Sequence, residues 1–196
     1  MKLSIFYGFR VLGLCSLCAV FSSAHALEIA DVQLEEQVQL PGSAQALVLN
    51  GAGIRYKFFF KVYVGALYLT EQQQSAEKIL AEDAYNRVVM HIVYDEVPKT
   101  KLVSAWQEGF TDNNSEETMA SIKDRLHAFN DMFIDLKQGD IVLLDYLPGS
   151  GTRVKIKGKD IGVIAGADFN RALLSVWLGD EPVTLELKEA LLGVGD

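Results

Sequence analysis

The chain of 196 residues carries 26 acidic and 18 basic side chains, a net charge of −8 at pH 7. Phosphate backbones and anionic membranes repel so acidic a surface, and nucleic acid is therefore excluded as an expected partner. Hydrophobic residues make up 49% of the chain, a fraction typical of a globular protein with a buried core.

The first 26 residues have the pattern of a secretory signal peptide. Lys2 and Arg10 give a positive start, residues 11–21 are mostly apolar, and an Ala-His-Ala sequence ends at Ala26. The apolar run is shorter than the roughly 20 residues that a spanning helix needs. We therefore expect cleavage after Ala26, a periplasmic or secreted protein, and no stable membrane insertion afterwards.

The expected mature chain, residues 27–196, is predicted to be one domain without cysteine. Cys15 and Cys18 form a C-x-x-C sequence that would be removed with the signal. Loss of Lys2 and Arg10 leaves 16 basic and 26 acidic residues, a net charge of −10. No disulfide is then available, so a packed core must supply the stability, and a chain of this size can bury about 70% of its unfolded surface.

In chain order, the patterns predict strands, then helices, then a second group of strands, then two final helices. The predicted strands are residues 32–40, 46–50, 59–69, 87–94, 141–147, 152–156 and 160–164. The predicted helices are residues 75–81, which Ser75 caps, and 98–109, 115–136, 167–178 and 184–192. Because short turns join most strands, we expect an α+β fold with a large antiparallel sheet and helices on one face.

The most informative segment is residues 50–69. Its Gly-Ala-Gly sequence predicts a tight turn that places Arg55 at the start of strand 59–69. The planar guanidinium of Arg55 suits a carboxylate, Tyr63 offers a hydroxyl, and Gly65 leaves room for a ligand. The alternative is that Arg55 and Tyr63 are ordinary solvated side chains.

Strand 59–69 has two unlike faces. The face predicted to lie in the core is wholly apolar and consists of Phe60, Val62, Val64 and Ala66. The mixed face, predicted to border solvent or a cleft, consists of Phe59, Lys61, Tyr63 and Gly65.

Metal and cofactor chemistry find little support in the sequence. His91 and His127 are the histidines of the expected mature chain, and neither stands at ligand spacing from another histidine or a cysteine. Motifs for serine hydrolases, zinc proteases and phosphate loops are missing from the sequence. We therefore expect no metal and no cofactor.

Four short motifs in sequence order carry a family resemblance. They are G-x-G-x-R followed by K-V-Y-V-x-x-L-Y-L, then F-N-x-x-F followed by G-D, then Y-x-P-G-x-G-T, then FNRALLSVWLG at residues 169–179. Together they resemble chalcone isomerase-like proteins, specifically the bacterial secreted branch, over about residues 29–193. The resemblance implies an open-faced β-sandwich, with one large antiparallel sheet and a layer of helices.

The resemblance also implies roles for two residues, one in strand 59–69 and one in the segment before it. In the plant enzymes, which close a chalcone to a flavanone, an arginine steadies the phenolate while a threonine and a tyrosine help polarise the ketone. Relatives without that activity bind fatty acids through the arginine and a tyrosine. Arg55 matches the arginine, whereas Tyr63 stands where the enzymes have threonine. The pair is closer to the acid-binding relatives.

Two further family positions are matched less closely. The loop tyrosine of the enzymes falls near Phe110 or Thr111, and neither is a tyrosine. The last polar contact of the enzymes falls at Ser175 or Val176, and both alternatives stay open.

Three hypotheses follow. The preferred one is a non-catalytic periplasmic protein that binds a small amphipathic carboxylate, such as a fatty acid, through Arg55, Tyr63 and Gly65. The second is an isomerase or lyase for a phenolic or enone substrate, with Arg55 stabilising an oxyanion and Tyr63 acting as an acid or as a hydrogen-bond donor. The third is an accessory protein of the cell envelope that binds no ligand. The oligomeric state is not predicted.

Overall fold

The computed structural model describes residues 27–44 and 46–194. The predicted signal peptide, residues 1–26, therefore lies outside the described residues. Within those two ranges, no helix is both long enough and apolar enough to span a membrane.

The strands and helices alternate along the chain much as the sequence patterns predict. The strands are β1 (Leu27–Ile29), β2 (Val32–Leu34), β3 (Gln37–Gln39), β4 (Ala46–Lys57), β5 (Phe60–Leu69), β6 (Asn86–Ile92), β7 (Glu96–Val97), β8 (Leu136–Lys137), β9 (Ile141–Leu147), β10 (Gly151–Ile156) and β11 (Lys159–Ile164). The helices are α1 (Ala76–Ala81), α2 (Lys99–Asn113), α3 (Glu116–Asp131), α4 (Ala167–Leu178) and α5 (Leu185–Leu191).

A seven-stranded antiparallel sheet organises the fold, in the order β11-β10-β9-β6-β5-β4-β3. The helices pack on one face of this sheet, and the larger apolar core lies between the two layers. A smaller core on the opposite face is closed by the β1–β2 hairpin, which contributes Val32 and Leu34. The predicted α+β fold with helices on one face is confirmed.

The ends of several predicted elements differ from the structure. The predicted strand 32–40 is two strands, β2 and β3, and Tyr68 donates its hydroxyl hydrogen to the carbonyl of Glu35 at the break, across 2.9 Å. The predicted helix 115–136 ends at Asp131. Two of the residues beyond that helix, Leu136 and Lys137, form β8, which pairs with β7.

The predicted turn at Gly51-Ala52-Gly53 is wrong. Both glycines lie inside β4, which extends to Lys57 with irregular pairing to β5 between Leu49 and Gly51 and between Arg55 and Tyr56. The turn to β5 is the two-residue loop at Phe58 and Phe59. The reason is the close approach of α5. A Cβ on Gly51 would overlap the carbonyl oxygen of Ala190, and one on Gly53 would lie 2.6 Å from the Ala190 Cβ. These glycines therefore permit packing between helix and strand.

The predicted division of β5 into a core face and a mixed face is only partly right. Val64 and Ala66 lie in the smaller core, as expected. Tyr63, from the mixed face, is buried in the larger core beneath the helices. Phe60, expected inside, is 46% exposed at the end of the strand. The sheet carries a core on each face, so an alternating pattern alone did not predict which residues are buried.

Candidate functional site

A cavity of about 120 Å³ lies between the sheet and the helix layer. Its floor comes from the neighbouring strands β4, β5 and β6, and its roof from α2, with Val176 of α4 and Val183 closing one side. Arg55 and Tyr63 both line it. They are paired across β4 and β5 in the antiparallel register, so the strand pairing places the two side chains at the same site.

Arg55 is the anion-binding candidate of this cavity. Its side chain is half-buried, and within the described part of the chain its guanidinium makes no hydrogen bond or ion pair. On its other side Arg55 borders a second cavity of about 140 Å³, whose wall includes Glu108, Asp112 and Glu181. None of these carboxylates lies within ion-pair distance of Arg55. The donors of its planar fork are therefore available to a bound anion.

Tyr63 is buried, and a hydrogen bond from α4 holds its hydroxyl in place. Trp177 of α4 donates its indole N–H to the Tyr63 hydroxyl oxygen across 2.9 Å. Burial raises the pKa of Tyr63 to about 12, against the opposing effects of the Trp177 hydrogen bond and the Arg55 charge. The phenol is therefore neutral at physiological pH, and because its oxygen accepts from Trp177, its own hydrogen remains to be donated.

Trp106 supplies a second buried donor in the cavity wall. The indole ring of this α2 residue is 3% exposed, and its Nε1 is buried without a hydrogen-bond partner in the described structure. Edge contacts fix the ring, with centroids 5.4 Å from Trp177 and 5.3 Å from Phe129. A buried donor without a partner is costly and rare, and no contact within the described residues accounts for this one.

The remainder of the cavity wall is apolar or cationic. Lys57 and Lys101 join Arg55 there, and the wall contains no acidic residue. The chain as a whole has a net charge of −8, whereas the wall of this cavity carries three cationic side chains and no acidic one. The arrangement suits an amphipathic anion, because the charged group meets the cations and the apolar part meets the core side chains.

A groove of about 240 Å³ lies beside the cavity, next to the turn between β4 and β5. The two spaces share the walls formed by Lys57, Val62, Val97 and Lys101. The groove adds aromatic side chains at its rim, namely Phe58, Phe60 and Tyr94. A ligand longer than the inner cavity therefore has an apolar path outwards.

Gly65, the third predicted site residue, lies on the same face of β5 as Tyr63 but outside the cavity wall. A Cβ at this position would lie 3.3 Å from Cε2 of Tyr63 and 3.4 Å from Leu187 of α5. In this structure the space beside Gly65 is thus occupied by the Tyr63 ring and a helix side chain, and a contact between Gly65 and a ligand stays a prediction.

The packing also decides which residues at the two less closely matched family positions reach the cavity. Val176 lines the cavity, whereas the Ser175 hydroxyl lies elsewhere, accepting from Asn114 Nδ2 at 3.1 Å. Phe110 is fully buried in the core, and Thr111 is exposed. Neither residue replaces the loop tyrosine of the enzymes at this cavity.

Trp106, Lys57 and Lys101 line the cavity, although no sequence pattern identifies them as site residues. Trp106 lies within the predicted helix 98–109, and nothing in a helical pattern distinguishes an indole N–H that has an acceptor from one that has none. Among the described residues, no cluster of three or more His, Cys, Asp or Glu side chains could hold a metal. His127 instead contacts Asp131 of its own helix at 3.1 Å.

Comparisons with known proteins agree with this architecture. A fatty-acid binding protein of Arabidopsis thaliana, AtFAP1, has a similar crystal structure, with a TM-score of 0.59 and 18% sequence identity. The match covers 80% of this chain and 96% of the plant protein. No curated protein matches the chain. The family model described as chalcone isomerase-like matches residues 26–193. This chain therefore belongs to the chalcone isomerase-like family.

Proposed function

We propose that this protein binds a small amphipathic carboxylate, with fatty acids as the first candidates, and does not transform it. The observation that carries the proposal is the unpaired guanidinium of Arg55 in the wall of an apolar cavity that contains no acidic residue. A carboxylate would supply this guanidinium with an opposite charge and two acceptor oxygens.

The neutral donor beside Arg55 fits the same ligand. Tyr63 retains a hydroxyl hydrogen that can be donated to a carboxylate oxygen. The similar fold of a plant fatty-acid binding protein supports the choice of ligand class.

The dimensions of the site favour a chain-like ligand that extends outwards. The inner cavity of about 120 Å³ is smaller than the ligand pockets of about 300–1,000 Å³ that are usual for drug-sized molecules. A carboxylate and its first methylenes would occupy this space, and the rest of an acyl chain would follow the groove of about 240 Å³. We therefore expect affinity to rise with chain length, by about 0.8 kcal/mol for each buried methylene.

The chemistry of Tyr63 favours binding over catalysis. General acids work best with a pKa near the working pH, and burial holds the pKa of Tyr63 at about 12. The signal peptide pattern supports a periplasmic or secreted site of action, which is likewise part of the proposal.

Calorimetric titration with saturated fatty acids of increasing length tests the proposal. The Arg55→Ala variant should bind about 1.5–3 kcal/mol more weakly, the usual contribution of a charged hydrogen bond. Arg153→Ala is the matched control, because Arg153 lies on β10, away from the cavity wall, and its loss changes the net charge equally.

Two outcomes would contradict the proposal. One is a wild-type protein that is empty by native mass spectrometry and binds no fatty acid in titration. The other is equal binding by the Arg55→Ala and Arg153→Ala variants. Turnover of a chalcone or enone panel that disappears in Arg55→Ala would instead favour the isomerase hypothesis.

A further inference from the structure

The β4–β5 hairpin ends in an exposed aromatic tip, residues 56–61, with the sequence Tyr-Lys-Phe-Phe-Phe-Lys. Phe58 is 87% exposed and Phe59 is 81% exposed, the most exposed large hydrophobic side chains in the described ranges. Single exposed apolar residues are ordinary on soluble proteins, but adjacent ones on a protruding loop indicate an interaction site.

The fold itself gives little reason for phenylalanine at the turn. Phe58 has a φ of +57°, in the left-handed region that two-residue hairpin loops usually fill with Gly, Asn or Asp. The rings of Phe59 and Phe60 contact each other, and the Phe60 ring meets Tyr94 at 5.7 Å, so this cluster continues along the rim of the groove. The aromatic residues of the tip therefore extend outwards and do not complete either core.

Charge distinguishes the tip from the rest of the protein. Lys57 and Lys61 flank the phenylalanines, and Lys101 lies behind them in the groove wall. All three lysines are exposed, and none forms an ion pair within the described ranges. Glu96 is the acidic residue of the groove. An anionic surface would attract this end of the molecule and repel the remainder, and the protein would be oriented tip first.

Part of the tip also lines the groove beside the candidate site. Phe58 and Phe60 form the groove wall, and the groove shares Lys57 and Val62 with the inner cavity. A surface that covers the tip would therefore also face the mouth of the cavity.

We propose that the hairpin tip docks reversibly on anionic lipid bilayers, with Phe58 and Phe59 among the headgroups and the lysines on lipid phosphates. Aromatic and basic side chains together are the usual composition of interfacial membrane contacts. A second copy of the chain fits less well, because two tips would bring four lysines together. A protein partner also fits less well, because a two-residue loop offers far less than the roughly 800 Å² per partner of a stable interface.

Vesicle flotation tests the docking surface. The processed protein is mixed with vesicles of phosphatidylethanolamine and phosphatidylglycerol, and with phosphatidylcholine vesicles as the uncharged comparison. We expect binding to the anionic vesicles that weakens with salt. The double variant Phe58→Asn/Phe59→Ser should lose binding at least about tenfold, because it removes two large apolar side chains. Its melting temperature should stay the same or rise, because asparagine tolerates a positive φ.

A matched control is available on the far edge of the sheet. Ile161→Ser/Val163→Ser also replaces two exposed apolar residues, 42% and 50% exposed on β11, and should leave vesicle binding unchanged. Phe59→Trp adds a direct probe. Both native tryptophans are buried, so a blue shift of the new emission on adding vesicles reports on the tip alone.

Three results would contradict the proposal that the tip docks on anionic bilayers. They are no flotation of the wild-type protein with anionic vesicles, equal flotation of the tip variant and wild type, or a dimer in sedimentation that the tip variant abolishes. None of these results depends on whether the cavity binds a fatty acid, so each proposal can be refuted independently of the other.

Discussion

Trp177 donates its indole N–H to the hydroxyl oxygen of Tyr63 across 2.9 Å, which joins α4 to β5 beside the cavity. Both side chains are buried, so this hydrogen bond is formed away from solvent. It fixes the position of the phenol and leaves the phenolic hydrogen as the group presented to a ligand.

Tyr63→Phe should destabilise the protein by about 1–3 kcal/mol, because the buried Trp177 N–H loses its acceptor. Urea denaturation of wild type, Tyr63→Phe, Trp177→Phe and the double variant measures the coupling between the two residues. We expect a coupling energy above about 0.5 kcal/mol, the usual limit of additivity for independent sites. Strictly additive effects would show that the bond contributes nothing to stability.

The raised pKa of Tyr63 predicts a loss of stability at alkaline pH. Folding favours the protonated phenol, so its contribution is complete below the unfolded pKa of 10.0 and is lost as the pH rises towards about 12. Over that interval the free energy of unfolding of wild type should fall, relative to Tyr63→Phe, by about 1.4 kcal/mol per pH unit. Denaturation series from pH 8 to pH 12 provide the comparison, and parallel curves would contradict it.

Ala105→Phe should obstruct the cavity without disturbing the fold. Ala105 is an exposed α2 residue that lines the cavity beside Arg55, so a ring there competes with the ligand for space. Displacing two buried methylenes of a fatty acid would weaken binding by about 1.6 kcal/mol, or more than about tenfold. Ser104→Phe places the same ring on the neighbouring residue, which is outside the cavity wall, and should bind normally. Equal titration curves for the two variants would place the ligand elsewhere.

Gly51→Ala should destabilise the protein by about 3 kcal/mol, the upper end of the range for overpacked sites. Its Cβ would overlap the backbone of α5 at Ala190, which cannot move without displacing the helix. Chemical denaturation measures the loss.

Gly162→Ala is the control for this change. Its Cβ would approach only the flexible end of Met132, at 2.6 Å, and the side chain can rotate away. A similar stability for both alanine variants would show that α5 is not held closely against β4.

Periodicity and turn residues sufficed to predict most of the secondary structure. The predicted bounds of 167–178 and 141–147 coincide with α4 and β9, because each has a strong local pattern and clear flanking signals. The predicted N-cap at Ser75 is also confirmed, since its side chain accepts from the Lys78 amide. These features depend on residues that are close together in the chain.

The candidate site was predictable only in part. Arg55 and Tyr63 were singled out by their residue types and by the family resemblance, and the structure brings both to one cavity. The unpartnered N–H of Trp106 was not predictable, because the absence of an acceptor depends on every element packed around the indole ring.

The sequence by itself determined the α+β class, the acidic character of the protein and the position of the arginine beside an aromatic strand. Only the tertiary structure decided what the glycines of β4 do, because the atoms that exclude a side chain at Gly51 belong to Ala190, near the other end of the chain. It likewise decided that β5 is buried on both faces, and that its first residues are exposed at a hairpin tip. Such properties arise from contacts between distant segments, and local patterns carry little information about them.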